Sequence, residues 1–130
     1  MWSSKLFLLA LSFGLSKAAT FEAETGVLTG LTVSTAVAGY SGTGYVVGFD
    51  DGADNVAVTV TAPSYAVYVL TIRYRAPYGE KKTNLLLNGV GAGEVTLLAT
   101  DVFSNAPAGK VLLNQGANVI TLQVGHIWIF

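Results

Sequence analysis

The strongest constraint on the fold is a regular alternation of large apolar residues with smaller or polar ones. In the stretch NVAVTVTAP, valines occupy positions 56, 58 and 60, and YAVYVLTIRYRA alternates in the same way. Successive side chains of a β-strand point to opposite faces of the sheet, so this period of two predicts strands with one buried face. Helical periodicity is almost absent after residue 20. The chain is therefore predicted to be all-β.

Turn residues separate these segments at short intervals. Asn88-Gly89 lies between two apolar runs, and both residue types tolerate the positive φ that a tight hairpin requires. A second turn is predicted from Asn114 to Gly116. Short strands with frequent turns favour a β-sandwich of the jelly-roll type, folded as one domain without an internal linker. We expect this domain to be monomeric.

The N-terminus has a different composition. A lysine precedes an apolar run from Leu6 to Leu15, and the small residues Ser16 and Ala18 follow it. The run is about half as long as a membrane-spanning helix. This order is typical of a secretory signal peptide comprising residues 1–18, cut after Ala18, which predicts an extracellular module of residues 19–130 without membrane contact. The alternative is a buried N-terminal helix.

Composition excludes several functions. The net charge of −1 provides no basic surface for nucleic acid. With one histidine, no cysteine and no G-x-S-x-G motif, no nucleophilic or histidine-paired metal centre is recognisable. Asp50, Asp51 and Asp54 cluster in GFDDGADN, which is typical of a solvated polar turn rather than of a glycosidase pair. No catalytic residue is predicted.

The stretch FEAE places Glu22 and Glu24 two residues apart. In an extended strand both carboxylates would lie on one face, where they repel each other unless a cation sits between them. Ca²⁺ prefers six to eight oxygen ligands, including carboxylates and backbone carbonyls. The alternative is a solvent-facing edge strand whose charges prevent aggregation.

Two predicted loops contain aromatic residues that could be exposed to solvent. In GYSGTGYVVGF, Tyr40 and Tyr45 flank closely spaced glycines, and a tyrosine ring with its hydroxyl suits a sugar ring. The alternative places one or both tyrosines in the core. In RAPYGEKKTN, Tyr78 lies between Pro77 and Gly79 near several charged residues, which suits a small polar ligand or, alternatively, an ordinary charged hairpin loop.

Four stretches together resemble a known family. They are, in chain order, FEAETGVLTG, VAGYSGTGYVVGFD, VYVLTIRYRAPYGEKKTNLLLNG and GKVLLNQGANVITL. They resemble carbohydrate-binding module family 35, most closely the fungal mannan-binding branch that precedes endo-β-mannanases of glycoside hydrolase family 26. The resemblance extends from about Thr20 to Gln123. It implies a non-catalytic jelly roll that targets an attached mannanase to β-mannan, although other members of the family bind uronic acids.

The resemblance also implies site residues. A structural Ca²⁺ would be held by Glu22 and Glu24, with contributions from the loop near Ser41 and Gly44. The implied sugar-binding residues lie in the two aromatic loops: Tyr40, Tyr45, Tyr78, Glu80 and Lys82.

The C-terminus departs from the family pattern. After the NVITLQ strand, family members continue with a tryptophan-bearing loop and a last strand that opens with Ile-Asp, whose aspartate completes the calcium site. This sequence reads VGHIWIF instead. We therefore expect the last strand to be missing or replaced, calcium binding to be weakened and the module to be C-terminally incomplete. No role is predicted for His126 or Trp128.

Two other functions compete with sugar binding. A small secreted interaction protein would bind protein partners through an exposed strand edge and would not retain polysaccharide. An enzyme would use Glu22 or Glu24 as a general acid, but their adjacent positions on one predicted strand face suit a shared cation better than separate acid and nucleophile roles.

Overall fold

The computed structural model describes residues 7–14 and 19–124, with only the backbone described for 7–14 and residue 19. The predicted cleavage point after Ala18, and His126 and Trp128 in the divergent C-terminal segment, lie outside the described residues. Signal-peptide cleavage and an incomplete C-terminus therefore stay predictions.

The described residues form strands and a single 3-10 turn, Ala23–Thr25. No helix with the length and hydropathy of a membrane span occurs in residues 7–14 and 19–124. The strands are β1 (Phe7–Gly14), β2 (Ala19–Glu22), β3 (Val27–Thr29), β4 (Thr32–Ser34), β5 (Tyr45–Val47), β6 (Asn55–Ala62), β7 (Ala66–Ala76), β8 (Lys81–Leu87), β9 (Val90–Leu97), β10 (Thr100–Leu113) and β11 (Gly116–Val124).

The strands form two antiparallel sheets. Sheet A has the order β10-β7-β1-β5-β4, with β2 also paired to β1, and sheet B has the order β3-β6-β11-β8-β9. The period of two in the sequence produces the core: in β6 the buried positions are Val56, Val58, Val60 and Ala62. Residues of β7 alternate in the same way, with Leu70 and Ile72 fully buried. The predicted all-β sandwich is confirmed, and the alternative of an N-terminal helix is wrong for residues 7–14.

The predicted turns are present, and one asparagine joins two of them. Asn88 and Gly89 have φ values of 51° and 82°, as a tight hairpin requires. The buried Asn118 accepts hydrogen bonds from the Asn88 side chain (3.1 Å) and the Asn114 backbone N–H (3.0 Å). Its amide donates to the carbonyls of Asn114 and Gly116. The β8–β9 turn and the β10–β11 turn are thereby fixed to each other.

The most unexpected element is β1. It lies between β7 on one side and β2 and β5 on the other. Its register pairs Leu11 with Ile72 and Phe13 with Leu70. The segment that the sequence predicts to be a signal peptide thus contains an interior strand of sheet A in this structure.

Candidate carbohydrate and cation site

Glu22 and Glu24 converge on the glycine-rich loop, although not by the expected route. The predicted strand through FEAE ends at Glu22, and residues Ala23–Thr25 form a 3-10 turn. The Thr25 hydroxyl donates to the carbonyl of Glu22 (2.7 Å) across this turn, and Ala23 is buried in the core. Turning the chain about Ala23 keeps both carboxylates on the side of the loop.

Gly42 is the point at which the two side chains meet. A β-carbon at this position would lie 2.3 Å from Glu24 Oε2 and 3.0 Å from Glu22 Cδ. With φ at +67°, Gly42 also adopts a backbone conformation that other residues rarely take. The glycine-rich loop can approach two carboxylates this closely only because it has no side chain here.

Hydrogen bonds satisfy most of these carboxylate oxygens. The Ser41 hydroxyl lies 3.0 Å from Oε1 and 2.9 Å from Oε2 of Glu22 and donates to this carboxylate. The backbone N–H of Thr43 donates to Glu24 Oε2 (3.1 Å). Oε1 of Glu24 is buried and has no hydrogen-bond partner among the described residues. Burying an unpaired charged oxygen is costly, so Glu24 Oε1 would be stabilised by a positive or donating group beyond those that the described residues provide.

The electrostatics of Glu22 agree with this geometry. Partial burial raises the pKa of its carboxyl above the ordinary value of 4.5, the Ser41 hydrogen bond opposes the rise, and the charge of Glu24 adds to it. No group of three or more His, Cys, Asp or Glu residues occurs in the part of the chain that is described. A cation would therefore need neutral oxygens besides the two carboxylates. Ser41 is positioned to provide one, whereas Gly44 packs against Val33 and Ser34, and its predicted role stays a prediction.

Tyr45 lies in the interior and not on the surface. Its exposed fraction is 1%, and its hydroxyl accepts hydrogen bonds from the Val37 N–H (3.0 Å) and the Ser34 hydroxyl (3.3 Å). The half-buried rings of Tyr40 and Phe103 pack on it, with centroids 5.7 and 5.3 Å away. In this conformation Tyr45 has no free ring face for a sugar, so it supports the loop from below.

Arg73 and Phe103 are site residues that the sequence reasoning missed. Arg73 donates to the carbonyl of Gly39 (3.2 Å) and to the Asn105 side chain (3.5 Å), and Gly39 passes close to the Phe103 ring. These contacts attach the glycine-rich loop to β10. The alternating β7 segment places Arg73 on the outward face, which marks it as a residue that could contact a loop. Its partners could not be predicted, because they are more than thirty residues away in sequence.

The second aromatic loop is the β7–β8 turn. Tyr78 is 63% exposed, Glu80 is exposed, and Lys82 donates to the Thr96 hydroxyl (3.3 Å). Lys81, in contrast, is buried, which lowers the pKa of its amine. Tyr40 lies in the loop before β5 and Tyr45 begins that strand, whereas Tyr78 lies between β7 and β8. The two predicted groups of sugar-binding residues therefore occupy separate loops.

Residues 19–130 match the family model described as carbohydrate binding module (family 35). The chain belongs to this family. Over 113 residues it is 43% identical to a mannan endo-1,4-beta-mannosidase of Thermothelomyces thermophilus, covering 87% of this chain and 23% of that protein. It thus spans about a quarter of this relative.

Solved structures agree with the family assignment. The chain superposes on the GH26-CBM35 beta-(1,4)-mannanase of Podospora anserina with a TM-score of 0.77 and 41% identity, covering 89% of this chain and 24% of that one. A family 35 module from Clostridium thermocellum gives a TM-score of 0.76 at 25% identity, covering 82% and 85% of the two chains. The matched region is the carbohydrate-binding module of such proteins and not their hydrolase domain, so the prediction of a non-catalytic sugar-binding domain is confirmed.

Proposed function

We propose that this module binds β-mannan outside the cell and requires Ca²⁺ for its shape. The proposal of mannan as the ligand rests on the 43% identity to a mannan endo-1,4-beta-mannosidase over 113 residues, which is 87% of this chain. Its partner enzyme would be a mannanase of the same kind. Weak contacts would hold that enzyme close to an insoluble polymer and so raise its local concentration. The apolar N-terminal segment supports export.

The proposed cation is Ca²⁺, held by Glu22, Glu24 and the Ser41 hydroxyl. The buried, unpartnered Oε1 of Glu24 supports this assignment, because a hard divalent ion would satisfy it and neutralise both carboxylates. These ligands come from the end of β2, the 3-10 turn and the glycine-rich loop. Ca²⁺ would therefore stabilise the loop that carries Tyr40.

The proposed sugar contacts are the exposed Tyr78 ring with Glu80 and Lys82 beside it, and the outer edge of Tyr40. A flat aromatic face stacks on the C–H face of a sugar ring, and charged side chains bond to its hydroxyls. Tyr45 contributes by supporting Tyr40 from the interior.

A pull-down on insoluble mannan, with cellulose, xylan and pectin in parallel, tests this function. We expect the intact chain to be retained on mannan and Tyr78→Ala to lose about tenfold in affinity, which corresponds to about 1.4 kcal/mol for a lost aromatic contact. Tyr65→Ala is the matched control, because Tyr65 is 66% exposed but lies in the β6–β7 turn at the opposite end of β7. Retention on pectin alone would favour a uronic-acid ligand, and retention on none of the four polymers would contradict sugar binding.

A further inference from the structure

Strand β1 occupies a position that the rest of the domain leaves open. It pairs with β7 from Phe7↔Arg75 to Gly14↔Val69, with β2 from Ala10↔Glu22 to Phe13↔Ala19, and with β5 at Leu8↔Val46. The family model, in contrast, begins at residue 19. Removing β1 would divide sheet A into a β10–β7 pair and a separate β5–β4 pair, and β2 would lose the one strand with which it pairs among the described residues.

Leaving the position of β1 empty would destabilise the domain in water. The row of β7 residues from Val69 to Arg75 would become an unpaired edge in the middle of the sandwich, and such edges attract other strands. Leu70 and Ile72, which have no exposed surface in the structure, stand opposite Phe13 and Leu11 in the register. Losing β1 would therefore remove the backbone hydrogen-bond partners next to core positions of β7.

The sequence of residues 7–14 suits this position. In the register, Leu11 and Phe13 align with buried residues of β7, whereas Ser12 and Gly14 align with Thr71 and Val69, which are partly or fully exposed. From Ala10 to Gly14 the alternation of large apolar and small residues thus matches the alternation of β7, and the register shifts between Leu8, which pairs with the buried Tyr74, and Ala10. Within residues 10–14 a one-residue slip would place Leu11 and Phe13 opposite the outward positions of β7, so the pattern selects this register.

We propose that the space between β7 and β5 is a strand-accepting site, whose ligand is an extended peptide of about eight residues with apolar side chains at alternate positions. Its occupant is the segment of residues 7–14 of this chain. The unprocessed chain is the closed form of the domain. Cleavage after Ala18 turns this segment into a separate peptide, whose dissociation opens the site and also removes the sheet partner of β2, which ends at Glu22. Processing at the N-terminus and the state of the cation cluster are thereby linked.

The experiment uses the full chain, produced in a cytosol where no signal peptidase acts, with residues 15–18 replaced by a specific protease site. The chain is folded, purified and cut. We expect native mass spectrometry to show the N-terminal fragment still bound after cutting. When a soluble peptide containing FLLALSFG is added in excess, it should replace the fragment. When the fragment is removed by dilution, hydrogen exchange of the β7 amides should accelerate at least tenfold.

A matched pair of peptides keeps the test independent of whether altered chains fold. A peptide with proline at the position of Leu11 should not replace the fragment, because proline lacks the N–H that an interior strand needs. A peptide with proline at the position of Lys17, beyond the strand, should replace it normally. The proposal would be overturned if the fragment were lost while the β7 amides kept their protection from hydrogen exchange. If the protein were then a monomer, another segment of the chain would fill the site. If it were a dimer, a second copy would fill it. None of these readouts depends on sugar binding.

Discussion

Two acidic clusters in this module differ in how the hydrogen-bonding needs of their carboxylate oxygens are met. Asp54 is 6% exposed, and its Oδ2 accepts the backbone N–H groups of Asp50 (3.1 Å) and Asp51 (2.9 Å). The backbone of the same turn therefore provides the hydrogen bonds that this carboxylate oxygen needs. Glu22 and Glu24 also face backbone and hydroxyl donors, but one buried oxygen has no hydrogen-bond partner among the described residues. A carboxylate that closes a turn is a structural residue, whereas this incompletely paired oxygen is the basis of the cation proposed above.

The largest loss of stability is expected from a substitution at Asp54. Asp54→Ala leaves two backbone N–H groups without their charged acceptor, which should lower the free energy of unfolding by about 3 kcal/mol. Thermal unfolding should show the same loss in calcium and in chelator. Asp51→Ala is the control: Asp51 is exposed and accepts only from the Ala53 N–H, so it should cost less than about 1 kcal/mol. A loss that appears only with calcium would assign Asp54 to the cation site.

The second effect belongs to the glutamate cluster. Calcium at a hundred times its dissociation constant should stabilise the intact chain by about 2.7 kcal/mol, measured as a rise in Tm. Replacing Glu22 and Glu24 by glutamine should abolish this rise. In chelator the double variant should be at least as stable as the unaltered chain, because the mutual repulsion of the carboxylates is gone. If calorimetry detects no calcium binding to the unaltered chain, the cation assignment is wrong.

A smaller effect is expected for the hydroxyl that spans both oxygens of Glu22. In chelator, Ser41→Ala should cost about 1 kcal/mol, the value of one net hydrogen bond. Thr43→Ala is a suitable control, since Thr43 contributes its backbone N–H and keeps it in the variant. Urea unfolding of both variants makes the measurement, and equal losses would argue against a specific role for Ser41.

The smallest effect is a pH dependence. Burial raises the folded-state pKa of Glu22 above 4.5, so in chelator the folded protein holds this proton more tightly than the unfolded chain. Stability from this group is complete below the unfolded-state pKa and is lost as pH rises through the folded-state value. Glu22→Gln should flatten that part of the stability–pH curve. A contribution that instead grows with rising pH in chelator would contradict the desolvation of Glu22.

Local patterns predicted the strands and turns well. The alternation in β6 and β7 and the Asn88-Gly89 turn depend on neighbouring residues, and the structure confirms them. The convergence of Glu22 and Glu24 was also expected, but through a continuous strand, and Ala23 turns the chain because the core takes its side chain. Spacing along the sequence therefore predicts which residues lie close together more reliably than it predicts the backbone conformation between them.

The failures involve contacts between distant segments. Tyr45 was predicted to contact sugar, with a core position as the alternative, and it lies in the interior beneath its own loop, where Tyr40 and Phe103 pack on it. Asp54 was predicted to lie in a solvated turn but is buried next to Gly30, where a β-carbon would collide with Asp54 Oδ1. The choice between a core and a surface position depends on which distant segments pack over each side chain.

The bridge made by Asn118 restricts how this end of the module can vary. Asn88 also accepts a hydrogen bond from the Val119 N–H (2.8 Å), so each asparagine supports the loop that contains the other. Exchanging Asn88 would remove one hydrogen-bond donor from the buried Asn118, and exchanging Asn118 would leave the backbone groups of Asn114 and Gly116 without their side-chain partner. In related sequences we expect these two positions to change together, and the hairpins they join to differ little in length.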